Sequence, residues 1–116
     1  MEKTDLNRRT FEFSVNTIKF LKNIRNSKEN DVVKYQLSRS ASSVGANYEE
    51  AQGAYSKDDF KYKIGLCLKE ARESHYWLRI VKAVGINESQ ILDSLIQEAM
   101  ELSKIFATML KNMRGV

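Results

Sequence analysis

Few side chains in this sequence are of the types that carry out chemistry. His75 is the only histidine and Cys67 is the only cysteine. A single histidine leaves no imidazole pair to hold a metal ion. Cys67 falls within a row of apolar residues at helical spacing, where a buried thiol is usually inert. We therefore predict that neither residue is catalytic.

Carboxylates offer the remaining route to chemistry, through a metal ion. Glu49 and Glu50 precede Glu70 and Glu73 on the next predicted helix. Ferritin-like di-iron bundles also need Glu-x-x-His pairs, and none occurs here. No phosphate-binding glycine-rich loop is present either. The sequence predicts no metal, no cofactor and no enzymatic activity, and a metal–carboxylate site is the one enzymatic alternative.

A polar stripe on otherwise apolar helix faces is the more distinctive feature. Its members are Arg39, Ser40, Asn47, Glu50, Glu70 and Ser74. A buried charge must be paired, because breaking a buried ion pair destabilises a protein by several kcal/mol. We expect Arg39 to contact a carboxylate, with the asparagine and the serines completing the hydrogen bonds. Such a network would fix helix register and partner choice, and a polar ligand pocket is the functional alternative.

Basic side chains form a second group near one end of the chain's predicted fold. They are Lys19, Lys22, Arg25, Lys28 and Lys34. The net charge is +4, and the basic excess lies within residues 1–45. This bias is compatible with RNA or DNA binding, although a solvated rim would look the same. Repetition around an axis of subunits would strengthen such a patch, because phosphate contacts accumulate.

The elements that must position these groups are four amphipathic helices. Apolar residues recur every three or four positions, and no segment alternates as a strand would. The predicted helices cover about 5–25, 31–54, 57–83 and 89–114, within a single domain of residues 1–116. Short polar links join them, and proline is absent. The pattern predicts an all-α, antiparallel up-down-up-down four-helix bundle.

Local signals predict where the helices begin and end. Asp5 is a candidate N-cap of the first helix, and Asn30 or Asp31 of the second. Ser56, with an aspartate three residues later, has the spacing of a capping box. Gly85 is expected to end the third helix in the left-handed conformation.

The first helix is apolar on two sides. Phe11, Val15, Ile18 and Leu21 widen the surface beyond its main stripe. A helix apolar on two sides must be covered twice, so we expect a partner subunit. The segment 38–46 of the second helix consists almost wholly of serine, alanine and glycine, which would let another helix approach closely.

The remaining bulk properties concern location. No apolar stretch approaches the roughly 20 residues that span a bilayer. The first residues include acids and no apolar core of a signal peptide. Together with the single cysteine, these features predict a cytoplasmic protein.

Two segments resemble a known family. Residues 36–51, QLSRSASSVGANYEEA, are similar to the signature of the four-helix-bundle family first described as proteins encoded by intervening sequences of the large-subunit rRNA gene. The matching residues are Gln36, Leu37, Arg39, Ser40, Ala41, Ser43, Asn47 and Glu50. Residues 59–81 also match, with an aromatic at Phe60 and the pattern K-E-x-x-E-S-x-x-W-L. Ala51 departs from the glycine that many members have.

The resemblance implies an antiparallel four-helix bundle without enzymatic activity, commonly assembled as a homopentamer around a central channel. Relatives include the accessory variability proteins of diversity-generating retroelements, which bind a reverse transcriptase and nucleic acid. The family name describes where some genes lie and not what their products do. We predict a homo-oligomeric accessory protein that binds RNA or DNA without sequence specificity. The alternative is a protein-interaction scaffold that recruits a partner enzyme such as a reverse transcriptase.

Overall fold

Four helices make up almost all of the computed structural model, which describes residues 3–113 and the side chains of residues 5–113. They are α1 (Lys3–Lys22), α2 (Lys28–Gln52), α3 (Lys57–Ala83) and α4 (Gln90–Met113). No strand occurs between residues 3 and 113. The predicted all-α fold is confirmed. The predicted end of the last helix at residue 114 lies outside the described residues.

The N-cap of α2 is one turn earlier than predicted. Ser27 has an extended backbone, and its hydroxyl accepts a hydrogen bond from the Asn30 N–H at 3.0 Å. Asn30 and Asp31 therefore lie inside the first turn, and the helix begins at Lys28 instead of residue 31. Asp5 likewise lies inside the first turn of α1, where a negative charge favours the positive end of the helix dipole.

The first helix ends at Lys22, three residues before the predicted end. Asn23 and Ile24 donate their N–H groups to carbonyls three residues earlier, at 3.2 and 3.1 Å, so the chain tightens into a turn. Lys34 then holds this turn from α2, because its ammonium donates to the Ile24 carbonyl oxygen at 2.8 Å and to Asn26 Oδ1 at 2.7 Å.

Both ends of α3 follow the sequence signals, and the hydroxyl of Ser89 caps α4. Ser56 Oγ accepts a hydrogen bond from the Asp59 N–H at 3.0 Å, as the capping-box spacing predicts. Gly85 has φ of 77°, the left-handed conformation expected after α3. Ser89 Oγ accepts from the Leu92 N–H at 3.1 Å and so caps α4.

Each helix packs against two neighbours in a square arrangement. α1 and α3 both pack against α2 and α4, whereas the backbones of the two diagonal pairs, α1 with α3 and α2 with α4, stay farther apart in the part of the chain described. Side chains still meet across one diagonal, where the ring centroids of Tyr48 and Phe106 are 6.0 Å apart. The bundle measures 46 × 21 × 21 Å. α1 and α3 therefore occupy opposite corners, and their outer faces point in opposite directions.

Large apolar side chains fill the centre of the bundle. The largest that are fully buried are Phe13, Leu37, Ile64, Leu78, Leu92, Leu102 and Phe106. Burial of each such side chain stabilises the fold by roughly 1.5–3 kcal/mol. Two inward positions of α1 are instead threonines, Thr10 and Thr17, which are also buried.

The small-residue segment of α2 packs against α1. A Cβ at Gly45 would lie 3.3 Å from the Thr10 carbonyl oxygen, so a larger residue would force the two helices apart. The Ser14 hydroxyl donates to the Ala41 carbonyl oxygen at 2.8 Å across the same contact. The close helix approach expected for this segment therefore takes place within one chain.

Candidate functional site

Arg39 links α2 to α3 through two carboxylates. Its Nη1 lies 3.3 Å from Glu70 Oε1, and its Nη2 donates to Glu73 Oε2. Glu70 and Glu73 are three residues apart, so they lie on the same side of α3. The Glu70 side chain is only 11% exposed. This group, called the Arg39 clamp below, contains the arginine–carboxylate contact expected from the sequence.

The second glutamate of the clamp has a further partner. The Trp77 indole N–H donates to Glu73 Oε2 at 3.3 Å. Burial raises the pKa of Glu73, but the hydrogen bonds from Arg39 and Trp77 outweigh it and the pKa is lowered overall. The hydrogen bond with Glu73 in turn raises the pKa of Arg39. The net pKa shifts of Glu73 and Arg39 both favour the charged pair at neutral pH.

Two fully buried serines lie beside the clamp. Ser74 Oγ is 3.0 Å from Ser40 Oγ, which joins α3 to α2. Each hydroxyl also lies near a carbonyl oxygen of its own helix, Glu70 at 2.8 Å for Ser74 and Leu37 at 3.3 Å for Ser40. Because protein atoms satisfy both hydroxyls, neither offers a free group to a ligand. The arrangement suits a brace between helices better than a ligand pocket.

Asn47 and Glu50 do not belong to this group. Asn47 donates to the Ser43 carbonyl oxygen of its own helix at 2.8 Å. Glu50 is exposed, and Lys63 Nζ lies 2.9 Å from its Oε1. Both lie two or three turns beyond Arg39 along α2, roughly 12 and 16 Å away, which no side chain of the clamp can span. The expectation of a single network of six residues was wrong for these two.

Four of the five predicted nucleic-acid contacts are exposed around the α1–α2 link. They are Lys19, Lys22, Arg25 and Lys28, called the basic turn cluster below. None of them is within ion-pair distance of a carboxylate in the described part of the chain. Lys34 differs, because its ammonium holds the turn that ends α1. It therefore serves the fold and is less available to a partner.

The two residues considered for catalysis lie in α3. Cys67 is fully buried, and burial raises the pKa of its thiol to about 12. Such a thiol stays protonated at neutral pH, whereas the thiolate is the nucleophile. Burial, together with the charge of Arg79, lowers the pKa of His75. Among residues 5–113, no three metal-binding side chains are grouped as a metal site requires.

A second arginine clamp joins α1 to α4 and was missed by the sequence analysis. Arg9 Nε lies 3.0 Å from Glu98 Oε2, and its Nη2 lies 2.6 Å from Glu98 Oε1 and 3.1 Å from Glu101 Oε1. The two glutamates are again three residues apart. That spacing on a helix is the one sequence signal that could have pointed to this clamp.

An apolar part of α1 remains uncovered. Phe11 and Ile18 are exposed, whereas Leu21 is buried in the core. Phe11 borders a shallow groove of about 490 Å³ between α1 and α2, floored by Gly45 and Ala46. This surface is the part of α1 that the sequence assigned to a partner subunit.

The sequence model of one protein family matches residues 2–108, which is nearly the whole chain. The chain belongs to the 23S rRNA-intervening sequence protein family. A crystal structure of a protein of unknown function from the S23 ribosomal protein family of Bacteroides thetaiotaomicron is similar at 30% identity, with a TM-score of 0.86. The similarity covers 96% of this chain and 99% of that one. No curated protein matches the sequence.

The family assignment confirms the resemblance drawn from residues 36–51 and 59–81. The further relation to retroelement accessory proteins stays a prediction. Among the described helices, none combines the length and apolarity needed to cross a membrane.

Proposed function

We propose that the protein is a non-enzymatic, homo-oligomeric accessory factor that binds RNA or DNA without sequence specificity. The basic turn cluster is the observation that carries the proposal. Its four cations are exposed, close together in the sequence and not neutralised by carboxylates in the described residues. Side chains of this kind bind phosphates and displace the counterions that surround a nucleic acid.

Binding through phosphates alone carries no sequence information. Common RNA-binding modules read bases by stacking them on aromatic residues of a sheet. Residues 3–113 form no strand and so provide no such sheet. Non-specific affinity that falls steeply with salt is therefore the expected behaviour.

Assembly into a homo-oligomer would add the contacts of several subunits. The exposed Phe11 and Ile18, beside the groove floored by Gly45, form the surface on which we expect a second copy to pack. Contiguous exposed apolar surface commonly marks a protein interface. The family resemblance favours five subunits, which would repeat the basic turn cluster five times around the axis.

Fluorescence anisotropy with labelled RNA and DNA over a salt series tests this function. We expect binding at low salt that weakens as salt rises, and much weaker binding after replacement of Lys19, Lys22, Arg25 and Lys28 by glutamate. Lys34 is left unchanged because it holds the α1–α2 turn. Circular dichroism should show an intact helical fold in the variant. No binding by the wild-type protein at low salt would contradict the proposal.

The exposed part of α1 also supports a second function, a scaffold that recruits a partner enzyme such as a reverse transcriptase. In this case the oligomer would form without measurable RNA or DNA affinity. Replacing Phe11 and Ile18 by serine removes the apolar surface proposed for assembly and partner recruitment, and it leaves the basic turn cluster unchanged. Light scattering then reports whether the assembly is lost, and anisotropy reports whether nucleic-acid affinity falls with it.

A further inference from the structure

One line of residues on the outer face of α3 lies outside the hydrophobic core. Its members are Tyr62, Gly65, Lys69, Arg72, Tyr76 and Arg79, called the α3 stripe below. Successive members are three and four residues apart in alternation, which keeps them on one side of a helix. The stripe extends over roughly 25 Å.

The cations of the stripe are available to a partner. Lys69, Arg72 and Arg79 are all exposed, and Lys61 adds a fourth exposed cation beside them. None of the four lies within ion-pair distance of a carboxylate among residues 5–113. A row of cations without local partners attracts a polyanion.

The acidic residues of α3 do not cancel this charge. Glu70 and Glu73 are held by Arg39 in the clamp. Asp58 and Asp59 lie in the first turn, where they complement the helix dipole. The turns from residue 61 to residue 79 therefore present a positive surface.

Gly65 is the least expected member of the stripe. Glycine in the interior of a helix is destabilising relative to alanine. At Gly45 the packing explains the glycine, because a Cβ would lie 3.3 Å from the Thr10 carbonyl oxygen. At Gly65 an added Cβ would meet nothing within 4 Å. Packing within the fold does not require a glycine here. Close approach of a ligand to the helix backbone would require one.

The two tyrosines present ring surface to solvent. Tyr62 is 63% exposed and Tyr76 is 48% exposed. The Tyr76 ring has two neighbours later in α3. The centroid of the Trp77 ring lies 5.1 Å away in an edge-on arrangement, and the Arg79 guanidinium carbon lies 6.0 Å from the Tyr76 ring centroid. Exposed aromatics among cations are the combination that binds single strands, because bases stack on the rings while cations follow the phosphates.

We propose that the α3 stripe is a binding surface for single-stranded nucleic acid. Lys69, Arg72 and Arg79 contact the phosphates, Tyr62 and Tyr76 stack bases, and Gly65 lets the strand lie against the helix. The inference rests on the proposed function and adds a second contact surface and the strandedness of the ligand. Because α3 is diagonal to α1, the copy that covers Phe11 and Ile18 does not itself cover the stripe.

Other partners fit the stripe less well. A second copy of α3 would bring like charges together, which is unfavourable. A duplex would offer its phosphates but would leave the tyrosines without bases to stack. An anionic membrane would need a broad apolar side on the same face, and the stripe offers only the two tyrosine rings.

Charge reversal tests the cationic part of the stripe. K69E/R72E/R79E changes the net charge from +4 to −2, and the control K57E/K104E/K111E makes the same change at exposed lysines away from the stripe. With labelled oligouridine and oligothymidine at roughly 50 mM salt, we expect at least a ten-fold weaker binding for the stripe variant than for the control. The dependence of log K on log salt should also become shallower by about 2.

Tyrosine removal tests stacking. Y62A/Y76A should weaken single-strand binding by about ten-fold or more, because each stacked base contributes roughly 1–3 kcal/mol, or about five- to hundred-fold. The control Y35A/Y55A removes two exposed tyrosines that lie outside the stripe. Binding of a labelled duplex should be the same for both variants.

The glycine provides a test in which stability and affinity move in opposite directions. Gly65→Leu should raise the thermal midpoint, because leucine is a better helix former and has room at this position. It should also weaken single-strand binding several-fold. A variant that is more stable and binds as tightly as wild type would contradict the role given to Gly65.

The outcomes separate this inference from the proposed function. If the wild-type protein binds no nucleic acid at low salt, the proposed function fails. If it binds, and the stripe variants bind as tightly as their controls, the stripe is not the interface and the basic turn cluster carries the function alone. Equal affinity for duplex and single strand would overturn the assignment of a single-stranded ligand. Weaker binding of single strands by the stripe variants than by their matched controls would establish it.

Discussion

Arg9 and Arg39 each reach from one helix to two glutamates, three residues apart, on the neighbouring helix. The Arg39 clamp joins α2 to α3, and the Arg9 clamp joins α1 to α4. Glu70 and Glu73 in the first are 11% and 27% exposed, whereas Glu98 and Glu101 in the second are 29% and 46% exposed. The same chemical device therefore operates in two environments.

The difference teaches what each clamp contributes. A buried carboxylate without its partner is strongly unfavourable, whereas an exposed one returns to water. The Arg39 clamp also adjoins the buried pair Ser40–Ser74, which only forms when α2 and α3 are in register. We infer that the Arg39 clamp, which contains the buried Glu70, fixes the alignment of its two helices and that the Arg9 clamp mainly adds a partly exposed contact.

Arg39→Ala is expected to give the largest loss of stability. It leaves Glu70 buried without a cation, and the free energy of unfolding should fall by about 2–3 kcal/mol. Urea denaturation measures the change. Arg39→Lys keeps the charge but lacks the planar fork for two carboxylates, so its free energy of unfolding should lie between those of the wild type and Arg39→Ala. A loss no greater than that of the exposed control Lys111→Ala would contradict the interpretation.

Arg9→Ala should have a smaller effect. Solvent reaches Glu98 and Glu101 once the arginine is removed, so the free energy of unfolding should fall by about 1 kcal/mol. The same urea experiment applies. If Arg9→Ala destabilised the protein as much as Arg39→Ala, exposure would not be the property that separates the two clamps.

The sequence predicts one clamp better than the other for a physical reason. Arg39, Ser40, Glu70 and Ser74 stand out locally, because each interrupts an apolar helix face. Arg9 lies among other polar residues, and its partners are 89 and 92 positions away. A contact of this kind depends on how α1 and α4 are rotated, which local periodicity does not determine.

Register along the helices explains the other differences. Periodicity places Asn47 on the inner side of α2 but does not say which turn of α3 it meets, so it does not separate Asn47 from the group around Arg39. The end of α1 and the role of Lys34 depend on the α1–α2 turn, whose geometry is set by backbone hydrogen bonds. The helix count and the fold class depend only on periodicity, and they were predicted correctly.

Buried hydroxyls extend the comparison between the two sides of the bundle. Ser74→Ala removes the partner of Ser40 and should lower the free energy of unfolding by about 1 kcal/mol. Thr17 in α1 is buried with no hydrogen-bond partner for its hydroxyl within the described residues. Thr17→Val keeps the shape and removes the unpaired hydroxyl, so it should stabilise the protein by up to about 1 kcal/mol. Thermal unfolding should therefore show a lower midpoint for Ser74→Ala and a higher midpoint for Thr17→Val. A lower midpoint for Thr17→Val would show that the hydroxyl has a partner in solution.

The pH dependence of stability gives the smallest expected difference between the clamps. The pKa of Glu73 is lowered, with burial opposed by the stronger effect of the Arg39 and Trp77 hydrogen bonds, and the pKa of Glu101 is lowered by hydrogen bonds from Gln97 and Arg9. A carboxylate with a lowered pKa stabilises the fold above its unfolded value of about 4.5, and this contribution is lost as the pH falls through the folded value. The urea concentration at the midpoint of unfolding should therefore decrease as the pH is lowered below about 4.5.

The two arginine variants decide which clamp causes this acid sensitivity. Glu73 is the less exposed carboxylate, so solvent screens its interaction with Arg39 less than it screens the interaction of Glu101 with Arg9. Arg39→Ala should consequently flatten the fall in stability between neutral pH and about pH 3 more than Arg9→Ala does. If the stability of the two variants fell with acid along the same curve, exposure would not determine how strongly each clamp responds to protonation. That result would contradict the distinction between a clamp that fixes helix register and one that adds a partly exposed contact.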